Sequence, residues 1–254
     1  MIEVEITSTA SFLDTSRRAL SGFGRTVYWY RGHASATWLL VPSVHRTYDN
    51  VGEHSLMARF RLSAPTRREK CPELRDLAGW ICLMQHFGLP TRLLDWTASP
   101  LAALYFAVSH EPQPGPAAVW VLVPSELNRA SACRQDATLV LTGPEAKPLL
   151  EAAFEGGRQV DETLAVVGQD VDLRMTVQQA AFTIHGTDAP LEARPASETC
   201  LAKFLIPEAA KEHLAEELWV LGIRRSGLFP DLASLAKDLA TDFRMIAPKV
   251  LQNR

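Results

Sequence analysis

Apolar positions fall at two spacings along the chain. Residues 27–31 (VYWYR) are aromatic and β-branched and read as a strand. Residues 117–123, 181–185 (AFTIH) and 201–206 are short apolar runs of the same kind. The opening MIEVEITSTASF is acidic and β-like. Helical spacing dominates elsewhere. Residues 53–62 carry Leu56 and Phe60 four apart. CPELRDLAGWICLMQHFG gives the clearest helix: Leu74, Leu77, Ala78 and Ile81 form a stripe, Pro72 suits a first turn, and Glu73 and Asp76 favour the positive end of the dipole. Gly88 is the expected stop. A second helix starts near Pro100, capped by Thr97 or Ser99, with Leu101, Leu104, Tyr105 and Val108 as its stripe.

Residues 111–116 (EPQPGP) read as a loop too short to separate domains. Residues 124–180 carry mostly helical patterns broken by GP and GG, and residues 188–197 read as an exposed loop rich in Pro and Ala. A helix over 208–218 and a last helix opened by Phe229-Pro230-Asp231, with the stripe Leu232, Leu235 and Leu239, complete the pattern. The expectation is one compact α+β domain over residues 1–254, with a mixed or antiparallel sheet flanked by helices.

Composition narrows the class. The 254 residues are 47% hydrophobic and 22% charged, as in soluble globular proteins. A net charge of −3 gives no global basic footprint for nucleic acid or an anionic membrane. No apolar run approaches the ~18 residues of a membrane span, and the N-terminus lacks a signal-peptide pattern. A cytoplasmic protein without membrane partners is expected. The cysteines (Cys71, Cys82, Cys133, Cys200) are scattered without a CxxC pair, so neither zinc nor a disulfide framework is implied. Buried, reduced thiols and no metal site are the expectation.

The candidate chemistry concentrates in residues 86–109, HFGLPTRLLDWTASPLAALYFAVS. His86, Thr91, Arg92, Asp95 and Thr97 crowd into an apolar run. Such a stretch is either a capped core corner or the floor of a site. On a strand, Leu93 and Asp95 would share one face and Arg92, Leu94 and Trp96 the other. Thr97 and Ser99 sit where a helix begins, among free backbone N–H groups that can bind an anion or simply be capped. In YWYRGH, Arg31 stands at a strand end and Gly32 would let backbone and guanidinium approach a ligand. The alternative is an Arg31 paired with an internal carboxylate such as Asp95. His33, His86 and His185 are candidate bases or ligands, without HxH or HExxH spacing. In RMTVQQAAFTIHG, at most one of Gln178 and Gln179 can face a site.

Taken in order, YRGH, HFGLPTRLLDWTASPLAALYFA, QQAAFTIHG and GLFPDLASLAKDL resemble the FRG domain family, named for an aromatic-Arg-Gly motif, here Tyr30-Arg31-Gly32. The resemblance spans residues 28–239, with Ala180 where the family's third motif carries Gly. The order of elements is also similar to ADP-ribosyltransferase-like folds, more weakly. That second resemblance implies NAD as substrate and a protein or nucleic-acid acceptor, in a toxin or anti-phage setting. It implies catalytic roles for Arg31, Asp95 and Gln178, and places Arg31, Gly32, His86, Thr91, Arg92 and Thr97 around the cofactor. Gln178 or Gln179 stands where such folds carry Glu, so Asp95 would supply the charge that stabilises an oxocarbenium ion. A non-catalytic module binding a nucleotide or partner is the alternative, and a hydrolase or nuclease built on His86, Asp95 and Arg31 a further one.

Overall fold

The computed structural model describes residues 2–21, 26–156 and 160–246. Within them the strands are β1 (Ile2–Glu5), β2 (Trp29–His33), β3 (Leu93–Thr97), β4 (Ala117–Leu122), β5 (Leu139–Val140), β6 (Thr163–Val167), β7 (Ala180–His185) and β8 (Leu201–Ile206). They form one mixed sheet in the order β1-β8-β4-β2-β3-β7-β6-β5. The outer pairs β1–β8 and β5–β6 are parallel and the pairs between them antiparallel. The expected α+β class with a mixed sheet is observed.

The first half of the chain supplies helices α1 (Thr9–Leu20), α2 (Ser43–Thr47), α3 (Asn50–Ser63), α4 (Leu77–His86) and α5 (Pro100–Val108). The second half supplies α6 (Pro124–Ala130), α7 (Lys147–Glu155), α8 (Leu173–Val177), α9 (Ser197–Cys200), α10 (Lys211–Val220), α11 (Arg225–Leu228) and α12 (Leu232–Ile246). None is long and apolar enough to cross a membrane among the described residues.

Strand register sorts the side chains onto two faces. Tyr30 lies opposite Thr97 and Val121, and Asp95 opposite Phe182, so these residues share one face. At one end of that face Tyr30, Val119, Val121 and Phe204 pack with residues of α1, α5 and α10. At the other end Leu93, Phe182, Ile184 and Leu164 pack with residues of α4 and α7. The opposite face buries Trp29, Leu94, Trp96, Trp120 and Leu122 together. Alternation in β3 thus places Leu93 and Asp95 on one side and Leu94 and Trp96 on the other, as the sequence pattern implies.

The two helix-covered cores meet over the boundary between β2 and β3. Those strands share a single registered pair, Tyr30 with Thr97, whereas β2 matches β4 over five. A cleft opens where they part. Gly32 sets the packing on its β2 side. A Cβ there would lie 2.0 Å from the Ala103 carbonyl oxygen and 2.7 Å from the Ala107 amide nitrogen of α5. Glycine is therefore needed for a helix to approach, where the sequence implied approach by a ligand.

Several elements differ from the sequence pattern, each for a local reason. The clearest helix begins at Leu77, capped by Asp76, whose carboxylate accepts from the Gly79 amide at 2.8 Å. Leu74 thus falls outside it and is exposed. Residues 124–180 contain β5 and β6 besides helices, because a five-residue apolar run such as TLAVV has no distinguishing periodicity. The segment over 188–197 is anchored rather than exposed: Leu191 is fully buried, and the Glu192 carboxylate accepts from the Leu40 amide. The stripe of α12 faces solvent, with Leu232 83% exposed. That helix is held by carboxylates that flank the stripe, where Asp238 accepts from the Ser226 amide and Asp242 from the Trp219 indole.

Helix α3 turns Glu53 and Met57 inward, where Leu56 and Phe60 were expected to mark its apolar face. The burial of Glu53 has a partner. Arg92, itself fully buried, donates from Nε and Nη2 to the two carboxylate oxygens at 2.9 and 2.5 Å, and from Nη1 to the Leu149 carbonyl at 2.9 Å. Both charges are taken out of water, so removing one leaves the other uncompensated. Glu53→Ala is expected to destabilise the fold by ~3–5 kcal/mol in urea unfolding, and Glu53→Leu combined with Arg92→Met to recover most of it. Equal losses in the single and double variants would show that the pair is not what α3 depends on.

Candidate functional site

The cleft between β2 and β3 holds a cavity of about 290 Å³, lined by residues of β2, α4, β3, α5, α8 and β7. Arg31, Gly32, His86, Asp95, Thr97 and Gln178 all line it. Residues separated widely in sequence thus converge on one place.

Asp95 forms the floor. Its Oδ2 accepts from Gln85 Nε2 at 2.8 Å. The Gln85 amide is oriented in turn by Thr91, whose hydroxyl donates to Gln85 Oε1 at 2.5 Å and accepts from the Leu93 amide at 3.1 Å. Solvent reaches Asp95 through the mouth of the cavity, but protein surrounds it on the remaining sides. Burial accordingly raises its pKa, against the charges of Arg31 and Arg174 and the Gln85 hydrogen bond.

Arg31 bridges the gap between the parted strands. Its Nη1 donates to the Asp95 backbone carbonyl at 2.6 Å, and its Nε donates to His33 Nε2 at 2.9 Å. The contact is with the carbonyl, not the carboxylate, so the two charges remain separately available to a ligand. Burial lowers the Arg31 pKa while Asp95 pulls it up. His33 completes the seat: Nδ1 lies 3.2 Å from the Trp38 carbonyl, which leaves Nε2 as the acceptor for Arg31. Burial, and then the Arg31 charge, push its pKa down to about 2, so the ring is neutral.

Thr97 ties the end of β3 to α8. Its hydroxyl donates to the Gln178 carbonyl at 2.5 Å and accepts from the Ser99 amide at 3.0 Å, while Ser99 caps α5. Of the two adjacent glutamines, Gln178 faces the cavity and its Nε2 donates to the Leu228 carbonyl at 2.9 Å. Gln179 has a positive φ of 48° and is exposed, its carbonyl taken by the Ala98 amide. His86 stands on the wall with Nε2 2.6 Å from Asp172 Oδ2; burial lowers its pKa and Asp172 raises it.

Two residues assigned to the cofactor's surroundings lie elsewhere. Arg92 is committed to Glu53 and the Leu149 carbonyl and does not line the cavity. Thr91 is fully buried behind Gln85 and acts through it. His185 is also outside, buried and kept neutral, with Nε2 2.8 Å from the Thr183 hydroxyl. Sequence reasoning missed Gln85, Phe106, His110 and Arg174, which also line the cavity. Their only sequence signal is proximity: Gln85 precedes His86, and Arg174 opens the run that contains Gln178.

Among the described residues no group of three His, Cys, Asp or Glu is placed to hold a metal ion. The cysteines are free; Cys82 and Cys200 are buried, and burial pushes both thiols up to about 12. The cavity therefore offers a carboxylate, guanidinium groups and amides, against aromatic walls that include Phe106 and Phe182. Such a set can hydrogen-bond hydroxyl and anionic groups beside an apolar wall. Residues 26–115, which contribute β2, α4, β3 and α5, match the family model of the FRG domain. The chain carries an FRG domain over that span. No curated protein and no solved structure matches it.

The neutral His33 ties stability to pH. Its pKa falls from 6.5 to about 2 on folding, so the unfolded chain takes up a proton below pH 6.5 that the folded protein refuses. Its contribution is present above 6.5 and is lost as the pH falls toward 2. The loss attributable to His33 is expected to be on the order of 2 kcal/mol by about pH 5. His33→Gln, which keeps a donor and an acceptor without titrating, should flatten the slope of unfolding free energy in that window. An unchanged slope would mean that His33 titrates alike in both states.

Proposed function

We propose that this protein is a ligand-binding module built on the FRG domain, and that its cavity takes a nucleotide-type ligand, NAD being the first to test. The observation that carries this reading is the convergence of Asp95 and Arg31 on the lining of one aromatic-walled cavity. A carboxylate held by Gln85 accepts hydrogen bonds from ribose hydroxyls. A guanidinium fixed by His33 favours an anionic group, and Phe106 and Phe182 offer apolar surface to a base. We extend the functional unit beyond the matched span, because α8 and β7 complete the walls, and we read the protein as cytoplasmic.

ADP-ribosyl transfer is the second reading, favoured by one observation: a carboxylate stands at the cavity floor. In that reaction the nicotinamide–ribose bond breaks and its electron pair leaves on nicotinamide. A nucleophile of a protein or nucleic-acid acceptor forms the new bond to ribose and loses its proton. Asp95 would stabilise the positive charge on the ribose, since the Gln178 amide already donates to Leu228.

Calorimetric titration of NAD and ADP-ribose, with chromatography for free nicotinamide, tests both readings. The wild-type protein is expected to bind, and Asp95→Asn to weaken binding roughly tenfold or more, as for loss of a charged hydrogen-bond acceptor. Binding should also weaken on acidification, as Asp95 protonates at a pKa above 3.8. Binding without nicotinamide release identifies a module. Release that falls by about 10²–10³ in Asp95→Asn identifies cleavage of the nicotinamide–ribose bond, ADP-ribose found attached to an added protein or nucleic-acid acceptor identifies transfer, and Gln178→Glu should then retain or raise activity. Absence of binding by the wild-type protein would overturn the nucleotide reading.

A further inference from the structure

Among the described residues Arg174 is a cation without an ion-pair partner. Its guanidinium carbon lies 4.5 Å from the Phe229 ring centroid, and the residue lines the cavity. Among the described residues its side chain makes no ion pair and no hydrogen bond. The acids near it in sequence are occupied. Asp172 gives Oδ2 to His86 at 2.6 Å and Oδ1 to the Arg174 backbone amide at 2.7 Å. Asp170 accepts from the Thr176 hydroxyl at 3.1 Å.

The ring beneath Arg174 is itself fixed. His110 stacks on Phe229 with centroids 5.1 Å apart and an interplanar angle of 17°. Arg225 lies 5.0 Å from the same ring, and its Nη1 is 3.2 Å from His110 Nδ1. An arginine held against an aromatic ring keeps N–H groups free for bidentate contact with an oxyanion. The charges in the cavity point the same way. Arg31 and Arg174 both act on Asp95, so two guanidinium groups face a single carboxylate within a chain whose net charge is −3. Burial favours the neutral forms of His86 and His110. Among the described residues no carboxylate forms an ion pair with the Arg174 guanidinium, so its charge is left to the cavity.

We propose that Arg174, supported on Phe229, forms a phosphate subsite at the wall of the cavity, and that the ligand of this protein carries a phosphoryl group there. The inference rests on the nucleotide reading of the cavity and makes it specific: a phosphorylated ligand is selected over the matching nucleoside. Asp95 and Arg31 contact the remainder of the ligand. Phosphate suits the subsite because its oxygens match the guanidinium edge in pairs and its charge offsets the surplus cation.

The test compares adenosine, ADP and inorganic pyrophosphate by calorimetric titration against wild type, Arg174→Gln and Arg174→Lys, with thermal unfolding as a control for folding. Wild type should bind ADP at least roughly tenfold more tightly than adenosine, with an advantage that shrinks as salt rises. Arg174→Gln should abolish that advantage while leaving adenosine affinity unchanged, and Arg174→Lys should retain part of it. Equal binding of ADP and adenosine by wild type, or an advantage that survives Arg174→Gln, overturns the subsite. Binding of pyrophosphate that depends on Arg174, with no binding of either nucleoside compound, upholds the subsite and removes the nucleotide reading. Adenosine binding in every variant with no preference for ADP does the reverse.

Discussion

The cavity depends on the parting of β2 and β3 after a single registered pair. An open seam inside a sheet exposes main-chain groups that water or side chains must satisfy. Here Arg31 supplies that satisfaction by donating across the gap to the Asp95 carbonyl. The same contact holds a guanidinium and the strand that bears a carboxylate at the bottom of one cleft. Gly32 makes the seam compatible with the core, because α5 packs onto β2 at a distance that admits no Cβ. The Arg-Gly pair therefore has divided duties: the arginine closes the seam and the glycine seats the helix.

Buried polar groups separate into those that are spent on the fold and those that remain available. Arg92 is spent, bonded through three nitrogens to Glu53 and Leu149. Lys211 is spent as well, donating to the Ala34 and Gln113 carbonyls at 3.0 and 2.7 Å. Thr91 and His33 use their hydrogen bonds to orient Gln85 and Arg31. Asp95 is only partly engaged, the Arg174 side chain makes no hydrogen bond among the described residues, and both residues line the cavity. A buried charge without a partner is costly to a fold. Partial engagement at a cavity wall is therefore a stronger sign of a ligand than the residue type alone.

Much of the fold was legible because local chemistry and tertiary structure agree. VYWYR, AFTIH and residues 201–206 lie at or within a residue or two of β2, β7 and β8, and Ser99 and Gly88 mark helix boundaries as their side chains and φ values require. Agreement failed where packing overrode pattern. The apolar stripe of α12 faces outward while Asp238 and Asp242, which flank it, tie the helix to α11 and α10. TLAVV reads equally as buried helix or strand until β7 and β5 lie beside it.

The sequence alone determined that residues 86–99 combine polar groups and apolar anchors, and that Asp95 alternates to the side opposite Leu94 and Trp96. It also placed Arg31 beside a glycine at a strand end. Which of these polar residues meet was decided by the tertiary structure. Thr91, Arg92 and Asp95 are nearly adjacent in the chain, yet one orients an amide, one pairs with a carboxylate of α3, and one reaches the cavity. Gln85, His110 and Arg174 join the site from three helices or their ends, at separations no local period encodes. Strand pairing and helix packing set those distances, and they depend on contacts between residues remote in sequence.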